Sequence, residues 1–374
     1  MKIVETSKGK FKVFGEALLI EDKLAPAIYT VDCGQFEGFY LLHHDNFEIT
    51  EKLYGHHEAK VDKIINSFNN FTRSMGVIFS GDKGLGKSIA AKLLCKKMVK
   101  NGYPVIMVQD NFDGLSNFID SIQQECIVLF DEFDKVFRNQ DKDGNITFES
   151  QENLLSLFDG TSSNIKRLYL LTCNDVINDL SDYLLNRPGR MHYHIRWDYP
   201  KENEIEEYLH DNLNEKYYNE TEKVVKFSYR SRLNYDCLRA IAFELNLGIS
   251  FEDAIKDINI INIESTPISI TVIMNDGVVF SNNKIHIDSF SESKTSVWLR
   301  TDSKDNKYGC NEASLQFIPS EIIVKRDGSM YLSNGNYSLK LDDRDDTDIT
   351  SEIKTISIES KFENERYSFN LRGE

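Results

Sequence analysis

The chain has 374 residues, which is longer than one ordinary domain and indicates two or three domains. Its hydrophobic content of 40% excludes a disordered chain and is typical of a packed soluble protein. With 44 basic and 60 acidic residues, the net charge is −16, which argues against a broad sequence-independent surface for nucleic acid.

The cysteines and the hydropathy pattern indicate the cellular compartment in which the protein is expected. Six cysteines are scattered along the chain without a C-x-x-C pair, which favours reduced thiols over disulfides or zinc. No window approaches the roughly 20 consecutive apolar residues of a membrane-spanning helix, and no signal peptide follows the first lysines. We therefore expect a cytoplasmic protein with no membrane partner.

The first 50 residues alternate apolar and polar side chains in short runs, with turn residues between them. Phe11–Phe14, Ala27–Val31 and Phe39–Leu42 are such runs. The alternation is typical of strands, so residues 1–50 are predicted to form a small β-rich N-terminal domain.

Residues 51–200 alternate short, almost wholly apolar runs with helical stretches. Strands buried on both faces have this composition, and the alternation predicts an α/β fold with a parallel sheet covered by helices on both faces. The predicted strands are Val77–Phe79, Val105–Val108, Ile127–Phe130, Leu168–Leu171 and His194–Trp197.

A phosphate-binding loop follows the first of these strands, because Gly81–Ser88 matches G-x-x-x-x-G-K-[ST] without a gap. Glycines let successive backbone N–H groups point at phosphate oxygens, and the helix that follows adds its positive end. Lys87 is expected to reach the β- and γ-phosphates of ATP, and the Ser88 hydroxyl to bind Mg²⁺. The predicted nucleotide-binding residues are Gly81, Asp82, Lys83, Gly84, Leu85, Gly86, Lys87, Ser88, Ile89 and Asp131.

Polar residues end two of the other strands. Asp131 and Glu132 follow the strand Ile127–Phe130; the aspartate is expected to hold Mg²⁺ and the glutamate to polarise the attacking water. Asn174 follows Leu168–Leu171, and an amide there could orient that water. Arg187 and Arg190 flank a Pro-Gly turn; arginines against a transferring phosphoryl group stabilise its charge, although this segment alone is more typical of a surface turn.

Together these segments resemble the AAA+ ATPases, specifically the AAA subgroup, over roughly residues 60–260. The resemblance implies ATP hydrolysis in a homo-oligomeric ring, usually a hexamer, with ATP between subunits. It also implies that each subunit contacts its own nucleotide through Lys87, Ser88, Asp131, Glu132 and Asn174. The γ-phosphate in the neighbouring subunit would be contacted by Arg187 and Arg190.

Within the subgroup, Ile146–Phe148, Leu154–Gly160 and Arg187–Met191 are similar to the mitochondrial translocases of the Rieske iron–sulfur protein. No transmembrane segment like theirs is found here, so the mitochondrial task is not implied. Similar soluble proteins occur in bacteria and phages, which makes a bacterial or phage-infected cytosol the expected location.

The residue pattern changes in the last part of the chain. Residues 201–264 are predicted to form a helical lid, including a helix over Asn234–Leu247. From residue 265 onward, turn signals at Asn275–Gly277, Asp327-Gly328 and Asn334-Gly335 separate strand-like runs, so a separate β-sandwich or barrel is predicted over residues 265–374.

Three features leave alternatives open. Phe112–Gly114 is similar to an aromatic pore loop, but Phe112 follows its strand so closely that we expect it to pack on the core. Arg239 lies on the predicted lid helix and contacts either nucleotide or solvent. Asp141–Glu152 imitates a calcium loop, yet Ile146 occupies the position that requires glycine, so no calcium site is expected.

The leading hypothesis is therefore a ring ATPase that remodels or translocates an unknown protein substrate. A nucleic-acid-directed machine, such as a helicase or clamp loader, is the alternative, and the acidic charge counts against it. A third hypothesis is a scaffold that uses ATP only as an assembly ligand, and the presence of Glu132 and the arginines argues against that.

Overall fold

A computed structural model describes residues 2–7, 10–15, 19–35, 37–45, 47–49, 51–55, 57–137, 139–140, 146–147, 149–159, 165–174, 180–181, 184, 189–258, 266–288, 291–303, 307–341 and 347–361. The chain divides into two compact units. The first contains Met1–Asp82 and Gly86–Trp197, and the second contains Lys83–Leu85 and Asp198–Glu374. This division lies close to the predicted boundary at residue 200, whereas the predicted boundary at 264 falls outside the described residues.

The first unit is built on a seven-stranded sheet. Neighbouring strands are parallel except for the last pair, as expected for apolar strands that helices connect. From one edge to the other the strands are β11 (Met191–Arg196), β5 (Met75–Ser80), β10 (Arg167–Cys173), β7 (Cys126–Phe130), β6 (Val105–Val108), β3 (Ile28–Gly34) and β4 (Gly38–His44).

The prediction of a separate N-terminal β domain is wrong for residues 28–44. β3 pairs in parallel with β6, and β4 closes that edge as an antiparallel strand. Ile28 and Val31 are buried in this sheet, so the apolar run that predicted a strand serves the shared core. The hairpin β1 (Lys2–Ser7) and β2 (Lys10–Phe14) forms a two-stranded sheet of its own.

Helices follow the strands of the first unit, and a second two-stranded sheet pairs β8 (Asn139–Gln140) with β9 (Ile146–Thr147). The longest helices bury one apolar face each, including Val61, Ile64 and Phe68 on the first. The helices are α1 (His57–Asn70), α2 (Lys87–Lys100), α3 (Leu115–Ser121), α4 (Phe133–Val136), α5 (Glu149–Glu152) and α6 (Leu155–Asp159).

A buried arginine closes the amino-terminal end of β10. Arg167 is 1% exposed, and its guanidinium donates to the Ile122 carbonyl at 2.8 Å and lies 3.4 Å from an Asp120 carboxylate oxygen. These partners lie at the end of α3, so the arginine joins that helix to the centre of the sheet. A buried cation needs such partners, because an unpaired one is costly to remove from water.

The second unit begins with helices, and each of the last two has a side-chain cap. Asn234 accepts a hydrogen bond from the Cys237 N–H, and Ser250 accepts one from the Asp253 N–H. The helices are α7 (Glu202–Asn212), a 3₁₀ helix (Glu215–Glu220), α8 (Thr221–Ser228), α9 (Tyr235–Asn246) and α10 (Phe251–Asp257).

An eight-stranded antiparallel sheet follows, with its own core around Phe280, Leu299 and Leu315. Asn275–Gly277 joins two paired strands as the turn signal predicts, but the strands on either side of Asn334-Gly335 pair elsewhere. In order across the sheet they are β16 (Ile323–Val324), β17 (Met330–Tyr331), β19 (Ile353–Ser360), β12 (Thr266–Met274), β13 (Val279–Ile287), β14 (Thr295–Arg300), β15 (Glu312–Phe317) and β18 (Tyr337–Leu341).

Tyr229, just after α8, joins the helices to this sheet. Its hydroxyl donates to Glu202 Oε2 at 2.7 Å and lies 3.2 Å from the Arg326 carbonyl, while its ring covers Gly328. Arg230 donates to the Pro319 carbonyl at 2.9 Å. The helical and β parts of the second unit are therefore packed against each other. Among the described helices of the whole chain, none is long and apolar enough to cross a membrane.

Replacing Arg167 with methionine should destabilise the first unit by roughly 2–4 kcal/mol, because the Ile122 carbonyl and the Asp120 carboxylate lose a buried donor. Arg300→Met is the control, since Arg300 pairs with Glu312 on the surface and should matter little. Thermal and urea unfolding of both variants measures the difference. Equal stability of the two variants would contradict the structural role of Arg167.

Candidate functional site

The loop Gly81–Gly86 connects β5 to α2 and has the backbone that the glycine pattern predicts. Gly81, Gly84 and Gly86 have φ values of +142°, +74° and +91°, which side-chain-bearing residues rarely adopt. A Cβ on Gly81 would lie 2.3 Å from the Trp197 carbonyl oxygen, so only glycine fits this turn.

Lys87 begins α2 and turns back into the loop. Its ammonium donates to the carbonyl oxygens of Gly81 at 2.6 Å and Asp82 at 2.8 Å, and to Asn174 Oδ1 at 3.1 Å. Burial lowers the pKa of Lys87, whereas neighbouring acidic groups, including Asp134 and Asp131, act in the opposite direction. The loop thus holds a cation where phosphate oxygens would be attracted.

Thr172 on β10 aligns the two acidic residues that end β7. Its hydroxyl donates to Asp131 Oδ1 at 2.6 Å and accepts the Glu132 N–H at 2.8 Å. Glu132 has φ +53°, and it is the one non-glycine residue with positive φ among those the structure describes. Its exposed carboxylate pairs with Lys135. A left-handed residue held by a neighbouring strand is the kind of strain that clusters at functional sites.

Asn174, at the end of β10, lies between Lys87 and Asp134. Asp134 Oδ2 accepts the Asn174 backbone N–H at 3.1 Å and its Nδ2 at 3.0 Å, while Asn174 Oδ1 accepts from Lys87. Asp134 is 4% exposed on α4. The sequence predicted Asn174 but assigned no role to Asp134, because its contact with β10 is not visible in the D-E-F-D run.

Ser80, the residue before the loop, is buried and bonds to His194 on the adjacent strand β11, with 2.7 Å between Ser80 Oγ and His194 Nε2. Burial, assisted by Arg196, lowers the pKa of His194 to about 4, so the imidazole is neutral at pH 7. This hydrogen bond joins the residue before the loop to the edge strand β11. No pattern in the sequence indicates this contact.

The tip of the loop, Lys83–Leu85, belongs by its contacts to the second unit. Asn234 Nδ2 donates to the Lys83 carbonyl at 3.1 Å, and the Tyr235 N–H donates to the Gly84 carbonyl at 3.0 Å. The residue that caps α9 therefore also holds the loop tip.

Arg190 and Arg239 are the predicted site arginines that lie among the described residues. Arg190 is 8% exposed in the single chain, and its carbonyl accepts the Gly76 N–H at 3.1 Å, so it is built into the edge of the sheet between β5 and β11. Its role toward a neighbouring subunit stays a prediction, and Arg187 lies outside the described residues. Arg239 on α9 is half exposed and lies 3.9 Å from an Asp236 carboxylate oxygen.

A magnesium ion fits the residues that flank the loop. Ser88 offers a hydroxyl at the start of α2, and Asp131 offers a carboxylate whose orientation Thr172 fixes. Oxygen ligands of this kind, completed by water and phosphate, are those that Mg²⁺ prefers. Within the described part of the chain, His, Cys, Asp and Glu form no cluster of three that would hold a metal by themselves.

Two further expectations can be compared with the structure. Phe112 is partly buried and packs on Phe39 of β4, with ring centroids 6.1 Å apart, as expected for a residue that packs on the core. All six cysteines are free thiols. The calcium-like loop at 141–145 lies outside the described residues.

Residues 77–199 match the family model described as ATPase family associated with various cellular activities (AAA). The match begins in β5 and ends after β11, so it includes the loop, Asp131, Glu132 and Asn174. It supports an AAA ATPase domain in this part of the chain. No curated protein matches the chain.

Gly84→Ala should weaken the loop tip, because a Cβ there would lie 2.6 Å from Asp236 Oδ2 and 2.7 Å from Asn234 Nδ2. Gly102→Ala is a matched control: its φ is +92° and a Cβ would meet nothing within 4 Å. Both variants carry the backbone strain of roughly 1–2 kcal/mol, but only Gly84→Ala should also weaken binding of a fluorescent ATP analogue. Equal analogue affinity in the two variants would contradict the fit of the loop tip.

Proposed function

We propose that this protein binds ATP with Mg²⁺ and hydrolyses it, working as a subunit of a homo-oligomeric ring that remodels or translocates a protein substrate. One observation carries the hydrolytic part. The Lys87 ammonium, the Asp131–Glu132 pair and Asn174 meet where three parallel strands end beside a phosphate-binding loop. These are the group types that phosphoryl transfer to water needs.

Each group has a distinct task in this proposal. Lys87 exchanges the loop carbonyls for the β- and γ-phosphates, and backbone N–H groups of the loop bind the remaining oxygens. Ser88 and Asp131 would hold Mg²⁺, which would neutralise developing phosphate charge when bound. Glu132, exposed at the site, accepts a proton from the attacking water, and Asn174 orients that water.

The ring and the protein substrate rest on the family resemblance. In this proposal Arg190 and Arg187 act on the nucleotide of an adjacent subunit; since Arg190 is buried in the single chain, its side chain would have to reorient when subunits assemble. The acidic net charge of −16 favours a protein substrate over nucleic acid.

Lys87→Ala tests nucleotide binding. Loss of the buried ammonium should weaken ATP affinity roughly 10- to 100-fold, since a hydrogen-bonded charge is removed. Lys100→Ala, at the other end of the same helix, is the control. Titration with a fluorescent ATP analogue measures the effect, and unchanged affinity in Lys87→Ala would refute the loop assignment.

Glu132→Gln tests hydrolysis. The variant should bind ATP normally but turn over roughly 100-fold or more slowly, because the amide cannot accept the proton. Glu125→Gln is the control. Glu125 directly precedes β7, whereas Asp131 and Glu132 follow it, so this variant should hydrolyse ATP like the wild type. Phosphate-release kinetics distinguish the two, and wild-type turnover in Glu132→Gln would exclude Glu132 as the base.

The choice between protein and nucleic-acid substrates is tested by phosphate release with single-stranded and duplex DNA. We expect turnover to be independent of either DNA, because the acidic surface repels phosphates. Stimulation of the wild type by DNA that is lost in Lys87→Ala would support the nucleic-acid-directed alternative instead.

A further inference from the structure

We infer that Asp134 is the positioning residue that makes Asn174 a hydrogen-bond acceptor toward the attacking water. The inference rests on the proposed hydrolysis of ATP. It adds a residue, Asp134, and the orientation of the Asn174 amide to that proposal. Asp134 lies on α4, after the Asp131–Glu132 pair, and is nearly inaccessible to solvent.

The chemistry of the two neighbours fixes which way the Asn174 amide faces. An ammonium can only donate hydrogen bonds, so the Asn174 atom 3.1 Å from Lys87 Nζ is the carbonyl oxygen. A carboxylate oxygen accepts, so the atom 3.0 Å from Asp134 Oδ2 is the NH₂ group. A flipped amide would place donor against donor and acceptor against acceptor.

Asp134 also holds the main chain at this point. The same oxygen, Oδ2, accepts the Asn174 backbone N–H at 3.1 Å, so both the direction of the backbone and the rotation of the side chain depend on one carboxylate. Because Asp134 is buried on a helix, these bonds do not compete with water.

This orientation of the Asn174 amide determines what its oxygen, Oδ1, can bind. When Lys87 moves onto phosphate, Asn174 Oδ1 loses its donor and is left as an acceptor facing the nucleotide. An acceptor there can bind a proton of the attacking water and direct the oxygen lone pair at phosphorus. Asp134 Oδ2 accepts from the NH₂ group, so the end of the amide on the Lys87 side is the oxygen, which accepts hydrogen bonds and does not donate them.

A double-mutant cycle tests this role. Asp134→Ala, Asn174→Ala and the double variant are compared for kcat, KM for MgATP, analogue affinity and Tm, with the exposed Asp257→Asn as control. We expect Asp134→Ala to lower kcat by about tenfold or more, with analogue affinity near that of the wild type, because only orientation is lost. The double variant should be no slower than Asn174→Ala within about twofold.

Multiplying losses in the double variant, or a loss in Asp134→Ala confined to KM, would overturn the inference. If Asp134→Ala does not fold, Asp134→Asn replaces it in the cycle. The new amide keeps the size of the side chain but accepts the Asn174 N–H groups in only one of its two orientations. We therefore again expect a lower kcat, and a double variant with Asn174→Ala that is no slower than Asn174→Ala alone. An inactive wild type would instead refute the proposed hydrolysis, so the two failures are distinguishable.

Discussion

The position of β10 between β5 and β7 is the constraint on which the candidate site depends. β10 follows both strands in the sequence, yet its backbone pairs with each of them, so Leu171 lies beside Ile78 on one side and Phe130 on the other. Parallel strands end at the same edge of a sheet. The loop after β5, the acidic pair after β7 and Asn174 after β10 therefore meet, although they are far apart in the chain.

At that edge, the polar side chains form two sets of hydrogen bonds, one around Thr172 and one around the buried cation Lys87. Thr172 lies on β10 and Asn174 directly follows this strand; Thr172 binds Asp131, and Asn174 bridges Lys87 and Asp134. Asn174 Oδ1 and the carbonyls of Gly81 and Asp82 supply the partners that a buried ammonium requires. Asp134, one of the acidic groups that oppose the effect of burial on the pKa of Lys87, also orients Asn174.

The departures from the sequence predictions have a common cause. Strand patterns reveal which residues are buried but not which strand lies beside them, so Ile28–Gly34 was predicted in a separate domain and instead extends the central sheet. The turn signal at Asn334-Gly335 is similarly local, and the strands on either side of it pair with β15 and β19. Phe112 was predicted well because its distance from the end of β6 already limited where its ring could reach.

The sequence by itself determined the phosphate-binding loop, the apolar strands and the polar residues that end them, because glycine geometry, hydrophobic runs and a lysine at fixed spacing are local properties. Only the tertiary structure decided that Asp134 holds Asn174, that Thr172 aligns Asp131 and Glu132, and that Arg190 is buried beside Gly76. These contacts join residues tens of positions apart. The order of the strands brings them together, and local composition contains no record of that order.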